Sequence, residues 1–154
     1  MAIKRVAVIG ASGYGGLQSL RLLQSHPNFE ISLLGGERSA GKRWSELCPF
    51  LPLPDDPLVE SPEPTRIAER ADVALLSLPN GLASGLVPGL LDRGVRVVDL
   101  SADYRYRSLD QWSSVYAQEA LSCKRTDADL CAEAIYGLPE WNASAIATAR
   151  LVAA

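Results

Sequence analysis

Short apolar runs alternate along the chain with segments in which apolar residues recur at helical spacing. The runs are rich in valine, leucine and isoleucine, as is typical of strands that are buried on both faces of a parallel sheet. The predicted strands are Val6–Ile9, Phe29–Leu34, Ala71–Leu78, Val95–Leu100 and a final run at Arg150–Ala154.

The segments between these runs predict helices. In the first segment, Leu17, Leu20 and Leu23 share one face, and polar residues lie between them. The predicted helices are Leu17–Ser25, Thr65–Arg70, Leu82–Asp92 and a short helix that Asn142 caps and that runs to Ala149. Because strands and helices alternate, the sequence predicts an α/β fold, a Rossmann-like doubly wound parallel sheet in a single domain over residues 1–154.

Other stretches have weaker patterns. Residues 47–64 are dense in proline, which excludes a continuous helix and predicts an irregular connection with a short strand near Leu58–Val59. Residues 106–134 have little periodicity, although Trp112 and Tyr116 are spaced to share one helical face. We interpret Tyr136–Glu140 as a turn.

The first predicted strand ends in a glycine-rich turn, and a helix follows it. Such a corner leaves the first backbone N–H groups of the helix free to bind phosphate. Gly10 permits a sharp turn, Gly13 close approach of a pyrophosphate, and Gly16 tight packing of the helix. The spacing is G-x-x-G-x-x-G rather than the commoner G-x-G-x-x-G, so a plain turn is the alternative. We predict a dinucleotide site formed by Gly10, Ser12, Gly13, Tyr14, Gly15 and Gly16.

A polar loop follows the second predicted strand. At this point of a dinucleotide fold an acidic residue binds the ribose 2′-hydroxyl of NAD, whereas an arginine suits the 2′-phosphate of NADP. Arg38 and Ser39 supply a cation and a hydroxyl there, and Glu37 stands among cationic residues. We predict NADP as the cofactor, bound by Arg38 and Ser39, with a solvated charged loop as the alternative.

The same loop contains most of the phosphate-binding motif of nucleotide hydrolases. Gly36–Lys42 matches G-x-x-x-x-G-K, but Arg43 stands where that motif needs serine or threonine to bind magnesium. The first strand already carries a glycine turn of its own. We therefore do not interpret this loop as a hydrolase site.

Two further candidates follow predicted strands at the edge where open α/β sheets bind their ligands. Pro79 begins a Pro-Asn-Gly turn after Ala71–Leu78, and we assign it to the cofactor site. Arg105 follows the next strand, and its guanidinium suits a carboxylate or a phosphate. The alternatives for Arg105 are an ion pair with Asp103 or a solvated position.

Composition narrows the class of protein. Hydrophobic residues make up 47% and charged residues 21% of the 154 residues, which is typical of a globular domain. The net charge of −3 does not favour nucleic acid or anionic membranes as partners. The three cysteines have no metal-site spacing, which favours reduced thiols, a cytoplasmic protein and no metal. We expect His26 to have a structural role.

Five motifs together resemble one enzyme family. They are GASGYGG at Gly10–Gly16, ERSAGK at Glu37–Lys42, LPNG at Leu78–Gly81, VVDLSADYR at Val97–Arg105 and YGLPEWN at Tyr136–Asn142. This set resembles the amino-terminal domain of the N-acetyl-gamma-glutamyl-phosphate reductases. The resemblance implies NADPH-dependent reduction of an acyl phosphate to N-acetylglutamate semialdehyde in arginine biosynthesis, through a cysteine thioester and a histidine acid/base.

The same resemblance implies that the catalytic groups lie elsewhere. In the family the strand at Leu151–Ala153 continues into an Asn-Pro-Gly-Cys-Tyr-Pro-Thr motif, and the substrate domain follows. We therefore expect the nucleophilic cysteine and the histidine beyond Ala154, a domain truncated at its carboxyl end, and a chain that is inactive alone. Cys48, Cys123 and Cys131 do not match the nucleophile and are expected to be bystanders.

The resemblance also implies partners and leaves alternatives. It implies an acyl-phosphate substrate, with Arg105 as a candidate contact, and a homo-oligomer at full length. The alternatives are a non-catalytic NADP-binding module and a related semialdehyde dehydrogenase of the lysine or aspartate pathway. A short-chain dehydrogenase is disfavoured because no tyrosine of the chain has a lysine four residues later.

Overall fold

A computed structural model describes residues 3–117, 120 and 125–154. In this part of the chain a single sheet contains seven strands, all paired in parallel, in the order β3-β2-β1-β4-β5-β7-β6. The strands are β1 (Lys4–Ile9), β2 (Phe29–Gly35), β3 (Val59–Glu60), β4 (Val73–Leu76), β5 (Arg96–Asp99), β6 (Ile135–Tyr136) and β7 (Leu151–Ala153). The predicted α/β class and parallel sheet are confirmed.

Helices connect the strands. They are α1 (Tyr14–Leu23), α2 (Trp44–Leu47), α3 (Pro64–Arg70), α4 (Val87–Leu91), α5 (Leu109–Tyr116), α6 (Ala128–Glu133) and α7 (Pro139–Thr148). Short 3₁₀ turns at Glu37–Ser39 and Ala83–Gly85 follow β2 and β4. None of the helices in the described ranges combines the length and the apolar character that a membrane crossing needs.

Alternate residues of β1 enter two apolar layers that cover opposite faces of the sheet. One layer contains Ala7, Ile9, Ile67 of α3 and Leu90 of α4. The other contains Val6, Val8, Leu20 of α1 and Trp44 of α2. Burial of both faces explains why β1 reads as a continuous apolar run, and it confirms the doubly wound arrangement.

The strand order reverses at β1. The chain runs outward from β1 through β2 to β3 and then returns to place β4 on the other side of β1. The carboxyl ends of β1 and β4 therefore meet at a topological switch point, where sheets of this class bind ligands.

The helix predicted at Leu82–Asp92 is wrong in extent. A 3₁₀ turn, Ala83–Gly85, comes first, and α4 covers only Val87–Leu91. Pro88 occupies the first turn of α4, and its ring and missing N–H prevent a helix from running through from Leu82.

Several bounds also differ. α1 begins at Tyr14 rather than Leu17, so two glycines of the turn lie inside its first turn. α2 and α6 were not predicted. α5 contains Trp112 and Tyr116, which the sequence spaced to share one helical face, but only Trp112 is fully buried, which explains the weak periodicity. The predicted short strand is found at Val59–Glu60.

The predicted cap at Asn142 is wrong. α7 begins at Pro139, within the segment interpreted as a turn, and Asn142 interrupts it with a non-helical backbone. The Asn142 side-chain amide donates to the Tyr136 carbonyl oxygen at 3.0 Å. It therefore ties α7 to β6 instead of capping a helix.

Candidate functional site

The corner between β1 and α1 requires glycine at two positions. Gly10 has a φ of +80°, and a β-carbon there would lie 2.1 Å from the Ser77 carbonyl oxygen. A β-carbon on Gly16 would lie 2.3 Å from the Gly10 carbonyl oxygen. The Gly10 N–H donates to the Gly35 carbonyl oxygen at 2.8 Å, which fixes the turn against the end of β2. The turn and the tight packing that the sequence predicted for Gly10 and Gly16 are thus both present.

Gly13 and Gly15 differ in the atoms that a β-carbon would meet. A β-carbon on Gly15 would lie 2.5 Å from the Ser77 hydroxyl oxygen, so Gly15 permits close packing against the end of β4. A β-carbon on Gly13 would meet only the Gly10 carbonyl oxygen, at 3.3 Å. Gly13 is therefore not needed for internal packing, and its exposed backbone is accessible to a ligand.

The first turn of α1 is suited to an anion. Its first intrahelical bond runs from the Leu17 N–H to the Gly13 carbonyl oxygen, at 2.9 Å, and no side chain caps the helix. The N–H groups of residues 14–16 precede that bond and lie at the positive end of the helix dipole. Ser12 is exposed, and Tyr14, which is 93% exposed, leaves this end of the helix open.

The predicted 2′-phosphate site lies in the 3₁₀ turn after β2. Arg38 is exposed, and no hydrogen bond or ion pair joins its guanidinium to another described residue. The Glu37 carboxylate accepts a hydrogen bond of 2.9 Å from the Ser61 hydroxyl, at the end of β3. Ser39 is buried, and its hydroxyl donates to the Gly36 carbonyl oxygen at 3.4 Å. Of the predicted pair, Arg38 is thus the accessible member.

Pro79 lies in the loop after β4, and its surroundings include a carboxylate that sequence reasoning missed. The Gly81 and Ala83 N–H groups donate to the two carboxylate oxygens of Asp103, at 2.7 and 3.1 Å. Asn80 accepts a hydrogen bond of 3.0 Å from the Ala102 N–H. The side chains of Asn80 and Asp103 therefore link the loop after β4 to the loop after β5. Pro79 is exposed at the edge of these loops.

A second buried carboxylate lies at the end of β5. Asp99 is fully buried and accepts hydrogen bonds from the Ser101 hydroxyl at 2.7 Å and the Ser101 N–H at 3.0 Å. Burial raises the pKa of Asp99 to about 6, although these hydrogen bonds favour the ionised form. Burial also raises the pKa of Asp103. Asp99, Ser101 and Asp103 alternate across the carboxyl end of the predicted strand Val95–Leu100, and this polar spacing was the signal available in the sequence.

A buried arginine, Arg125, contacts Asp103 from the protein interior. The side chains of Arg125 and Asp127 are 2% and 7% exposed and form an ion pair of 2.9 Å. Arg125 also donates to the Asp103 carbonyl oxygen, and its guanidinium lies 4.7 Å from the centre of the Trp112 ring. Although burial opposes ionisation, hydrogen bonds from Arg125 and from Tyr104 hold the pKa of Asp127 below its ordinary range.

Arg105 lies at the same edge of the sheet, but it does not pair with Asp103. Its guanidinium donates to the Ala154 carbonyl oxygen at 3.0 Å and to the Leu100 carbonyl oxygen at 3.3 Å. Arg105 is exposed and lies at the ends of β5 and β7. The ion-pair alternative is therefore not realised.

The described cysteines and His26 are not arranged for chemistry. Cys48 and Cys131 are buried, and burial raises the pKa of both thiols. Cys123 lies outside the described residues. His26 follows α1 at the opposite edge of the sheet and contacts Phe29, with ring centres 4.6 Å apart. Within residues 3–117, 120 and 125–154, no three His, Cys, Asp or Glu side chains are grouped to hold a metal ion.

Comparisons with known proteins agree with this geometry. Residues 5–149 match the model of the semialdehyde dehydrogenase NAD-binding domain. Curated relatives named N-acetyl-gamma-glutamyl-phosphate reductase are 71% identical in Synechococcus sp. and 69% identical in Parasynechococcus marenigrum, each over 150 residues. The match covers 97% of this chain but only 42% of each relative.

Solved structures share the fold. An aspartate semialdehyde dehydrogenase of Candida albicans, determined with NADP, aligns over 68% of this chain and 31% of its own, with a TM-score of 0.60 and 31% identity. Aspartate semialdehyde dehydrogenase II of Vibrio cholerae aligns over 98% of this chain and 41% of its own, with a TM-score of 0.64 and 22% identity. The family match over residues 5–149 establishes that the chain belongs to the semialdehyde dehydrogenases, through their NAD-binding domain.

Proposed function

We propose that this chain is the cofactor-binding part of an N-acetyl-gamma-glutamyl-phosphate reductase, which uses NADPH to reduce the acyl phosphate to N-acetylglutamate semialdehyde in arginine biosynthesis. The observation that carries the proposal is the 71% identity to a reductase of that name over 150 residues. The aspartate-pathway alternative is supported only by the much lower identity of 22–31% to solved aspartate semialdehyde dehydrogenases.

The residues of the β1–α1 corner fit a dinucleotide. A β-carbon on Gly13 would meet the Gly10 carbonyl oxygen at 3.3 Å and no other atom within 4 Å, and Gly13 is exposed, as expected of a backbone that approaches a pyrophosphate. The N–H groups of residues 14–16 would bind that pyrophosphate, with Gly10, Gly15 and Gly16 shaping the turn. Pro79 would line the crevice on the side of β4.

We propose NADP rather than NAD. Arg38 is a free, exposed guanidinium within the described residues, at the strand end that binds the adenosine ribose. The acidic neighbour that would favour NAD, Glu37, is hydrogen-bonded to Ser61. Ser39 contributes by fixing the turn that presents Arg38, since its hydroxyl faces Gly36.

When bound, the nicotinamide supplies a hydride to the acyl group of the substrate. The residues of this chain bind and orient the cofactor at the carboxyl edge of the sheet. Arg105, at the ends of β5 and β7, is proposed to contact the substrate phosphate. In the cytoplasm the whole enzyme would act on this small-molecule substrate as a homo-oligomer.

The thiol that forms the thioester is proposed to lie outside the matched 42% of the relatives. Thioester chemistry needs an accessible thiolate beside an acid/base. Cys48 and Cys131 are buried and protonated at neutral pH because burial raises their pKa. We therefore expect the chain alone to bind NADP(H) without turnover.

A chimera tests the proposal. The 150 matched residues of the Synechococcus sp. reductase are replaced by those of this chain. The assay is the reverse reaction, phosphate-dependent reduction of NADP with N-acetylglutamate semialdehyde, and the expected rate is within tenfold of that of the intact relative. A matched chimera with Gly13→Val is expected to lose activity through its KM for NADP. A folded chimera that does not bind NADPH, or that binds it without turnover, would contradict the proposal.

A further inference from the structure

The loop that leads from β4 into the 3₁₀ turn at Ala83–Gly85 is held by several hydrogen bonds. Gly81 has a φ of +88°, and its N–H donates to Asp103 at 2.7 Å. The Ala83 N–H donates to the other carboxylate oxygen of Asp103 at 3.1 Å. A charged acceptor forms stronger hydrogen bonds than a neutral one, so Asp103 fixes both ends of the short segment 81–83.

Asp103 is itself held on its far side. It is fully buried, its N–H donates to the Ser101 hydroxyl at 3.1 Å, and its carbonyl oxygen accepts from Arg125. A second connection crosses between the same two loops, from the Ala102 N–H to Asn80 at 3.0 Å. The buried ion pair of Arg125 with Asp127 anchors this arrangement. The shape of residues 79–83 is thus determined by residues 101–103.

The position of this loop indicates which half of the cofactor it serves. The pyrophosphate site lies at β1, and the predicted 2′-phosphate site lies at β2. β4 is on the other side of β1 from β2. A dinucleotide that crosses the switch point with its adenosine over β2 must place its nicotinamide half over β4 and β5.

We infer that Asp103, assisted by Asn80, is a positioning residue that holds the loop 79–83 in the shape that receives the nicotinamide half of the cofactor. This inference rests on the proposed function, because it needs NADPH to bind in the crevice. Asp103 acts through backbone N–H groups and does not touch the cofactor. Its loss is expected to weaken binding of the nicotinamide half and leave the adenosine half bound as before.

The test compares two probes on the 154-residue chain. NADPH occupies both halves of the crevice, whereas 2′,5′-ADP carries only the adenosine half and the 2′-phosphate. In Asp103→Asn one backbone N–H faces an amide N–H₂ instead of an oxygen, so the Kd for NADPH is expected to rise about tenfold while the Kd for 2′,5′-ADP changes less than twofold. Asp72→Asn is the matched control. The Asp72 carboxylate also accepts a backbone N–H, from Arg5 at 2.9 Å, but at the amino edge of the sheet, so neither Kd should change.

Each result either supports the inference or overturns it. If Asp103→Asn weakens the affinity for both probes equally, Asp103 has a general structural role. If it weakens neither affinity, Asp103 has no role in binding. Either result overturns the inference. If Asp103→Asn does not fold, Asn80→Ala replaces it, with the same selective loss expected at about threefold. If the wild-type chain binds 2′,5′-ADP and NADPH with equal affinity, the nicotinamide half contributes no binding free energy. The inference then fails, but the proposed cofactor site is not contradicted. If the wild type binds neither probe, the proposed function itself fails.

Discussion

Gly10 and Ser77 are in such close backbone contact that a β-carbon on Gly10 would lie 2.1 Å from the Ser77 carbonyl oxygen. Gly10 directly follows β1, and Ser77 directly follows its neighbour β4. The Ser77 N–H also donates to the Ile9 carbonyl oxygen at 2.8 Å. Backbone packs directly against backbone at this point, so a side chain at position 10 would separate the ends of the two strands.

We expect Gly10→Ala to lower the free energy of unfolding by about 3 kcal/mol or more, because it combines a strained positive φ with a backbone clash. Gly41→Ala is the matched control. Gly41 has nearly the same φ, +82° against +80°, but a β-carbon there would meet nothing within 4 Å. Its expected loss is about 1 kcal/mol. Urea denaturation measures both, and equal losses would contradict the contact with Ser77.

Gly13→Val is expected to separate binding from folding. Gly13 has an extended backbone, with φ of −79° and ψ of 167°, which valine adopts readily. The new side chain would project over the turn, so the affinity for NADPH should fall at least tenfold. The free energy of unfolding should fall by only about 1 kcal/mol, because valine is a poor N-cap and its β-carbon would lie 3.3 Å from the Gly10 carbonyl oxygen. Calorimetric titration and denaturation are the measurements. Unchanged affinity in a folded variant would mean that the corner is only a turn.

Arg38→Ala is expected to remove the preference for NADP over NAD. A charge-assisted hydrogen bond contributes about 1.5–3 kcal/mol, so the affinity for NADPH should fall roughly tenfold to a hundredfold while that for NADH is unchanged. Arg93→Ala is the control, since Arg93 is exposed and follows α4 at the amino edge of the sheet. Equal affinities of the wild type for the two cofactors would refute the assignment of Arg38.

Asp99 is expected to make stability depend on pH. Burial raises its pKa from 3.8 to about 6 in the folded chain, so folding favours the protonated form. The stabilisation is therefore present below pH 4 and is lost as the pH rises through 6, by about 3 kcal/mol in total. The free energy of unfolding of the wild type, minus that of Asp99→Asn, should fall by most of this amount between pH 4 and pH 7. Asp103 and Arg125, which act on the Asp99 carboxylate, are present in both proteins, so the comparison isolates the titration of Asp99. A difference that is constant with pH would disprove the shift.

Local pattern predicted the elements that build the crevice, and its limits have physical causes. Strands β1 and β2 were found to within two residues, because burial on both faces leaves a continuous apolar run. β6 could not be found, because Ile135–Tyr136 is too short for any pattern. α4 was predicted too long, since helical periodicity was given more weight than Pro88.

In the candidate site, too, local sequence could predict some features and not others. The glycine corner could be predicted, and Arg38 could be proposed as a cofactor contact, because each depends on a few consecutive residues after a strand. The hydrogen bond of Gly81 with Asp103 joins residues 22 positions apart, and no local pattern specifies it. Burial of Ser39 was likewise missed, because it results from the fold of the turn against β3 and not from the polarity of the residue.

The central claim is that NADP binds across the carboxyl ends of β2, β1 and β4, and nuclear magnetic resonance of this 16.5 kDa chain tests it directly. Assigned backbone amide resonances are followed as NADP is added. The account predicts the largest shifts at residues 10–16, 36–39 and 77–83, and none at residues 26–28 and 92–95, which lie at the amino edge. Shifts confined to the amino edge, or no shifts at millimolar NADP, would contradict it.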